Sequence, residues 1–302
     1  MLAGFDRESS SGRARSARRV TGQLMPESVA CLCGNRDFET AFVYGEPPDG
    51  EVRFPLSRSA RYHREIWRCR ACGHFLSVHK MNLSGLYGGA YVDSTYGADG
   101  LRRAYDRVIA LDPARSDNVG RVHRIAAFSS GYFDRNGHTP AVLDVGSGLC
   151  VFLQRLRSET GWQCTALDPD PRAVAHAREV VGLEALCGDF MSLSGLGRFD
   201  VITFNKVLEH VQDPVRMLAK AVEHLTPRGF VYVELPDGEA AAIEGPGREE
   251  FFIDHHHVFS MRSMEVLLGN AGFRALATER LREPSTKFTL RAFAVPASAR
   301  SG

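Results

Sequence analysis

From residue 138 onward the chain alternates short apolar runs with amphipathic stretches. Ala141–Val145, Gln163–Leu167, Leu183–Cys187, Asp200–Phe204 and Gly229–Leu235 have the length and apolar character of buried strands. Helical spacing follows in Val151–Glu159, from Pro171 to about Gly182, in Lys206–His210 and in Pro214–His224. After a long connection, Pro236–Phe259, it returns in Ser260–Asn270. Phe273–Arg280 and Lys287–Val295 have no helix between them, which predicts an antiparallel hairpin around Glu283 and Pro284. Repeated strand–helix units predict an α/β domain over residues 138–302: a Rossmann-like, seven-stranded sheet that ends in this hairpin. Ahead of it, Leu101–Leu111 and Ser116–Phe128 read as helices, the second with Ser116 as N-cap and Asp117 behind it.

Upstream the pattern differs. Residues 1–27 are rich in Ser, Gly and Arg without apolar periodicity, which predicts a disordered arm; Met25 offers an alternative start. Residues 28–80 contain Cys31-x-Cys33-Gly34 and Cys69-x-x-Cys72-Gly73, the second pair ending the strand-like run Glu65–Cys69. Two close cysteine pairs can point four thiolates at one tetrahedral ion, and the glycines let the backbone turn around sulfur. The expectation is a small zinc-ribbon-like module with structural Zn2+ on Cys31, Cys33, Cys69 and Cys72. The first pair is C-x-C, and 35 residues separate the pairs. Four cysteines leave no open position for catalysis. Residues 81–137 read as a helical linker or lid region, in which Tyr91 and Tyr96 either pack between the two parts or close over a ligand.

Composition adds exclusions. The 302 residues are 44% hydrophobic and 24% charged, enough for one sizeable soluble domain and a smaller one. Net charge is +1, but residues 138–302 carry 17 basic against 21 acidic residues, leaving 20 against 15 in the first 137. An acidic large domain argues against a nucleic-acid partner at its cleft. No apolar run approaches the ~20 residues of a membrane span. No apolar stretch follows the N-terminal arginines as a secretory signal requires. Seven cysteines, with Cys150, Cys164 and Cys187 in strand or helix contexts, suit a reducing cytoplasm.

The chemistry concentrates in AVLDVGSGLC, residues 141–150. A buried strand that turns on glycines into a helix brings backbone N–H groups against a nucleotide. Gly146 and Gly148 fit a dinucleotide fingerprint, but Val151 stands at its third glycine position. Asp144, two before the first glycine, matches instead the loop of class I S-adenosylmethionine (SAM) methyltransferases. The chain resembles that family from Ala141 to Val295. Acidic residues end strands one, two and three, and FDVITFNKVLEHVQDP resembles the fourth motif of its small-molecule members. The resemblance implies SAM as cofactor, with Gly146, Ser147 and Gly148 facing its amino acid part and Asp144 orienting the loop and ammonium. It implies Asp168 on the ribose hydroxyls, with Asp170 as the alternative. Asp189 would accept the adenine amino group while Phe190 covers the ring, and Asn205 would lie beside the methionine portion. Cys150 stands where the family usually has a third glycine.

Transfer from a sulfonium needs the acceptor in line behind the methyl, and a base where the acceptor is O–H or C–H. His210 follows strand four, and Asp254-His255-His256-His257 lies in the long connection. The segment from Asp254 to Ser260 resembles the acid–His segment of zinc-ribbon sugar C-methyltransferases. That likeness implies His255 as base with Asp254 beside it; His210 is the alternative. A histidine at this place also packs under the cofactor or caps the helix in many relatives. A third arrangement puts a divalent metal on Glu209, His210 and a loop carboxylate. The expected function is methyl transfer from SAM to a small-molecule acceptor, a sugar or natural-product intermediate. An RNA methyltransferase using the cysteine module and a non-catalytic SAM-binding protein are the alternatives. The acidic domain opposes the first, the intact strand-one loop the second.

Overall fold

The computed structural model describes residues 29–53, 61–82, 100–133 and 138–297. The expected N-terminal arm, Tyr91 and Tyr96 lie outside the described residues. In chain order the first elements are β1 (Phe38–Tyr44), β2 (Arg64–Cys69), β3 (Phe75–His79), α1 (Gly100–Ile109) and α2 (Asp117–Tyr132). Next come β4 (Ala141–Val145), α3 (Val151–Thr160), β5 (Gln163–Asp168), α4 (Pro171–His176), β6 (Glu184–Cys187), β7 (Phe199–Asn205) and α5 (Pro214–Lys220). The chain ends with β8 (Leu225–Pro236), α6 (Gly238–Glu244), β9 (His257–Val258), α7 (Met261–Asn270), β10 (Phe273–Arg282) and β11 (Phe288–Pro296).

The large sheet runs β10-β11-β8-β7-β4-β5-β6. β6, β5, β4, β7 and β8 pair in parallel, whereas β11 is antiparallel to both β8 and β10. This is the seven-stranded sheet with terminal hairpin that the apolar runs predict. The strand order reverses around β4, so the carboxyl ends of β4, β5 and β7 open a crevice at a topological switch point. Val142, Leu143, Val201, Ile202, Val231 and Val233 are fully buried, as strands covered on both faces require. Met217 and Leu218 of α5 and Met264 and Leu267 of α7 cover one face. Val122 of α2, Leu153 and Leu156 of α3, and Val174 of α4 cover the other. No helix among the described residues is long and apolar enough to cross a membrane.

Three segments depart from the periodic reading. Lys206–His210 is not a helix: Lys206 takes φ 60°, and only Leu208–His210 turns, as a 3-10 helix. α4 passes into a π-helical turn, Ala177–Val181, before Gly182 at φ 70°. Pro236–Phe259 holds two elements, because Asp237 caps α6 by accepting from Glu239 and Ala240 N–H, and β9 pairs outward.

β9 completes a second sheet, β1-β2-β3-β9, which carries the cysteines. Phe75 pairs with Val258 and Leu76 with His257. Tyr62, Ile66 and Phe75 from the N-terminal segment share a core with Phe251, Ile253 and Val258 from the long connection. Gly238 lies against this core, where a Cβ would stand 2.5 Å from the Phe75 ring, so the approach of α6 requires glycine.

Candidate active site

β4 delivers Asp144 to the crevice, and the glycine turn folds over it. Gly146 has φ 72°, and a Cβ there would meet Val207 Cγ2 at 2.8 Å. Ser147 Oγ donates to Asp144 O at 2.6 Å and accepts from Leu167 N at 3.0 Å, which stitches the turn to β5. At the tip of β5, Asp168 Oδ2 accepts from Gly148 N and Oδ1 from Asp170 N, both at 2.9 Å. Asp144 Oδ1 accepts from Thr203 Oγ1 at 2.6 Å and from Asn205 Nδ2 at 2.8 Å. Burial outweighs these two bonds and pushes Asp144 up to about 6; it raises Asp168 as well. Both carboxylates therefore favour a cationic or donor-rich ligand.

The remaining cofactor candidates also have local partners. Asp189 Oδ1 accepts from Met191 N at 3.0 Å, and Asp170 caps α4 through Arg172 N at 2.8 Å. Phe190 is 2% exposed, with its ring 5.8 Å from Phe204 and the Lys220 ammonium 5.7 Å from its centroid. It forms an inner wall rather than an exposed platform. Cys150 is buried at φ 58°, a left-handed conformation that glycine would adopt without strain.

His210 and His255 meet edge to face with centroids 4.8 Å apart. His210 Nδ1 lies 2.9 Å from Asp254 O and His255 Nδ1 lies 2.8 Å from Glu250 O. A carbonyl only accepts, so each ring donates from Nδ1, which in the neutral tautomer leaves the lone pair on Nε2. Asp254 Oδ2 stands 3.7 Å from His210 Nδ1 and 4.0 Å from His255 Nε2. Burial pulls His255 below the ordinary histidine range. Burial acts upward on Asp254, but the neighbouring His255 and His210 outweigh it and hold the carboxyl low. Glu209 is fully buried, and neither of its carboxylate oxygens has a hydrogen-bond partner among the described residues. Glu209, His210 and His255 bring potential ligand atoms within 4.8 Å of one another. His256 and His257 do not line the cavity: His256 N donates to Glu209 O, and His257 bonds His74.

All twelve catalytic and cofactor candidates, Asp144 to His255, line one cavity of about 1310 Å³. That exceeds the ~300–1,000 Å³ usual for one small ligand. Four basic residues also line it, Arg172, Lys287 and the two bonded inward, Arg121 and Lys206. Arg121 on α2 is buried, bonded to Glu234 and to Asn118 Oδ1 at 2.8 Å, with no partner for Nε among the described residues. Lys206 Nζ donates to Thr289 Oγ1 at 2.6 Å, and burial lowers its proton affinity. No local signal marks either residue, since a buried basic side chain reads like a surface one until its partners fold around it.

In the second sheet, Cys31 Sγ lies 3.4 Å from Cys72 Sγ and Cys33 Sγ lies 3.6 Å from Cys69 Sγ. All four sulfurs fall within 4.8 Å. A tetrahedron with zinc–sulfur bonds of ~2.3 Å has edges of about 3.8 Å, so the cluster has the size of a zinc site. Gly34 and Gly73 turn at φ 80° and 73°, as the knuckle reading expects.

Residues 108–278 match the methyltransferase domain family, more than half of the chain. The chain belongs to that family, and its sheet is that of the class I, SAM-dependent methyltransferases. Ubiquinone biosynthesis O-methyltransferase of Caulobacter sp. (strain K31) is 31% identical over 111 residues, 33% of this chain and 44% of the relative. Ribosomal protein L11 methyltransferase of Geobacter metallireducens is 29% identical over 145 residues, 46% of this chain and 47% of the relative. The chain thus spans about half the length of the curated relatives it matches. Magnesium protoporphyrin IX methyltransferase from Synechocystis PCC 6803, solved with bound S-adenosylhomocysteine (SAH), superposes with TM-score 0.50 at 16% identity, over 68% of this chain and 96% of that one. That likeness is one of fold.

Proposed function

We propose that this chain transfers a methyl group from SAM to a small-molecule acceptor, a saccharide or natural-product intermediate. One observation carries the reading: a single cavity is lined both by the Asp144–Gly148 turn with Asp168 and by the Glu209, His210, Asp254 and His255 cluster. Its volume accommodates a cofactor and an acceptor together. One relative is named for O-methylation in ubiquinone biosynthesis, which agrees with a small acceptor.

When bound, SAM supplies a methyl on a sulfonium, open to in-line attack. The glycine turn admits it to the backbone, Asp144 faces its ammonium, and Asp168 accepts from the ribose hydroxyls. Asp189, Phe190 and Asn205 complete the cofactor side. His255 Nε2 takes the acceptor proton as the methyl transfers, and Asp254 stabilises the imidazolium; His210 is placed to share this work. SAH is expected to bind the purified chain, with Asp168→Ala weakening it by ~1.5–3 kcal/mol through lost charge-assisted bonds. Calorimetric titration decides. Unchanged affinity in the variant removes the ribose assignment, and no binding to the parent removes the reading.

The unpartnered Glu209 carboxylate favours a second reading of the acceptor side. Here Glu209, His210 and His255 would hold a divalent cation, which would supply Lewis-acid polarisation of an acceptor hydroxyl, with His255 in place of the loop carboxylate expected from sequence. Both rings give Nδ1–H to backbone carbonyls, the arrangement that orients Nε2 for a metal. Mn2+ titration followed by electron paramagnetic resonance is expected to show one site that Glu209→Gln abolishes. Absence of that site leaves His255 as a base alone.

The four clustered thiols support a structural Zn2+ on Cys31, Cys33, Cys69 and Cys72, saturated by sulfur and outside the chemistry. A reducing cytoplasm, where such thiolates persist, is the compartment this reading requires.

A further inference from the structure

Asp254 and His255 sit on a segment gripped from two sides. From the large domain, His210 Nδ1 donates to Asp254 O, and Glu209 O accepts from His256 N at 2.8 Å. The opposing contacts come from the cysteine-bearing sheet and the loop between β1 and β2. Arg64 on β2 is fully buried, and its guanidinium donates to Phe251 O, to Glu51 Oε2 at 2.7 Å and to Tyr62 Oη at 3.0 Å. Glu51 Oε2 also accepts from Ile253 N at 2.8 Å, and its Oε1 accepts from Tyr62 Oη at 2.5 Å. The Arg64 guanidinium stacks 4.4 Å above the Tyr44 ring. One ion pair therefore holds the carbonyl of Phe251 and the N–H of Ile253, the peptide groups just ahead of Asp254.

Stability alone is a weak reason for this pair. The desolvation of two buried charges offsets most of their attraction, and an apolar pair of equal volume often serves as well. The shared core of Ile66, Phe75, Phe251 and Ile253 already joins the two segments. A planar guanidinium fork adds direction, because it fixes several acceptors at set angles at once. Arg64 does not line the cavity. We propose that Arg64, acting through Glu51, is a positioning residue that aims Asp254 and His255 into the acceptor side, so the cysteine-bearing sheet is a working part of the active site. The inference rests on the reading of His255 as an acceptor-side group.

The test uses the full-length chain with 15N-labelled histidine, at a fixed pH where His255 is neutral. Arg64→Lys keeps the charge but loses the fork; Glu51→Gln keeps the shape and loses the carboxylate. The parent should show His255 as the Nδ1–H tautomer, held by Glu250 O. Both variants should convert on the order of half of it to the Nε2–H tautomer as the ring loses its partner, while SAH affinity stays within about twofold. An unchanged tautomer in both variants overturns the inference. So does a loss of SAH affinity in step with the tautomer, which would make the pair a general support of the fold. The tautomer comparison can be made without ligand. A parent that binds no SAH therefore defeats the cofactor reading while the positioning of His255 is still decided.

Discussion

Asp144 is 3% exposed at the end of a central strand, and its folded-state value of about 6 lies above its ordinary 3.8. The folded chain thus holds a proton that the unfolded chain has released. The stabilisation this gives is fully present below pH 3.8 and is lost as pH rises through about 6. An ammonium beside Asp144 reverses the preference by favouring the carboxylate. SAH affinity should therefore fall as pH drops below about 6, approaching tenfold per unit. Asp168, raised by burial as well, acts in the same direction. Titrations at pH 5 and pH 7.5 read this, and Asp144→Asn should flatten the Asp144 share; equal SAH affinity of the parent at both values contradicts it. Asp144 and Asp168 were legible because a strand end beside a glycine turn leaves a carboxylate few places to go. Arg121 and Arg64 were not. Arg121 meets Glu234, 113 positions away, and Arg64 meets Phe251, 187 away, so only the fold defines their roles.

Legibility at the scale of elements follows from what holds each one together. β4, β5, β7 and β8 are buried on both faces, so apolarity alone marks them. α7 announces itself by Ser260, whose Oγ accepts from Ser263 N at 2.9 Å while Ser263 Oγ accepts from Ser260 N at 2.8 Å. α6 had a signal too, in Asp237 ahead of Glu-Ala-Ala-Ala, obscured by Gly238. β9 had none, because two residues carry no period; it exists through its pairing with β3. Around Lys206–His210, Val207 and Leu208 stand four and three residues before Val211 and so imitate helical spacing. The left-handed Lys206 instead turns the chain away from β7, so that Glu209 and His210 face the cavity. Two of the misread segments, Lys206–His210 and Pro236–Phe259, carry the Glu209, His210, Asp254 and His255 cluster, while the Asp144–Gly148 turn and Asp168 rest on regular strands.

The two sheets are coupled through β9, which belongs by chain to the β8–α7 connection and by hydrogen bonds to the cysteine-bearing sheet. The residues around the sulfurs are also bonded directly to the start of α7 and to β9. Ser260 Oγ donates to Cys72 O at 2.5 Å, and His74 bonds Ser263 Oγ at 3.2 Å and His257 Nδ1 at 3.0 Å. The Asp144–Gly148 turn, by contrast, is stitched to β5 and β7. A unit of roughly 50 residues buries too little apolar surface to hold itself without a metal or a borrowed strand. If zinc supplies the first support, its removal should weaken the second. The purified chain is expected to contain one zinc, lost in Cys69→Ser or Cys72→Ser. After chelation, hydrogen exchange should quicken at residues 72–79 and 257–259 while residues 141–145 stay protected, and SAH affinity should change by less than about threefold. A well-folded parent without zinc defeats the metal assignment. Equal loss of protection in both sheets would mean that the molecule unfolds as one body, and the division between a metal-supported acceptor side and a self-supporting cofactor side would fall with it.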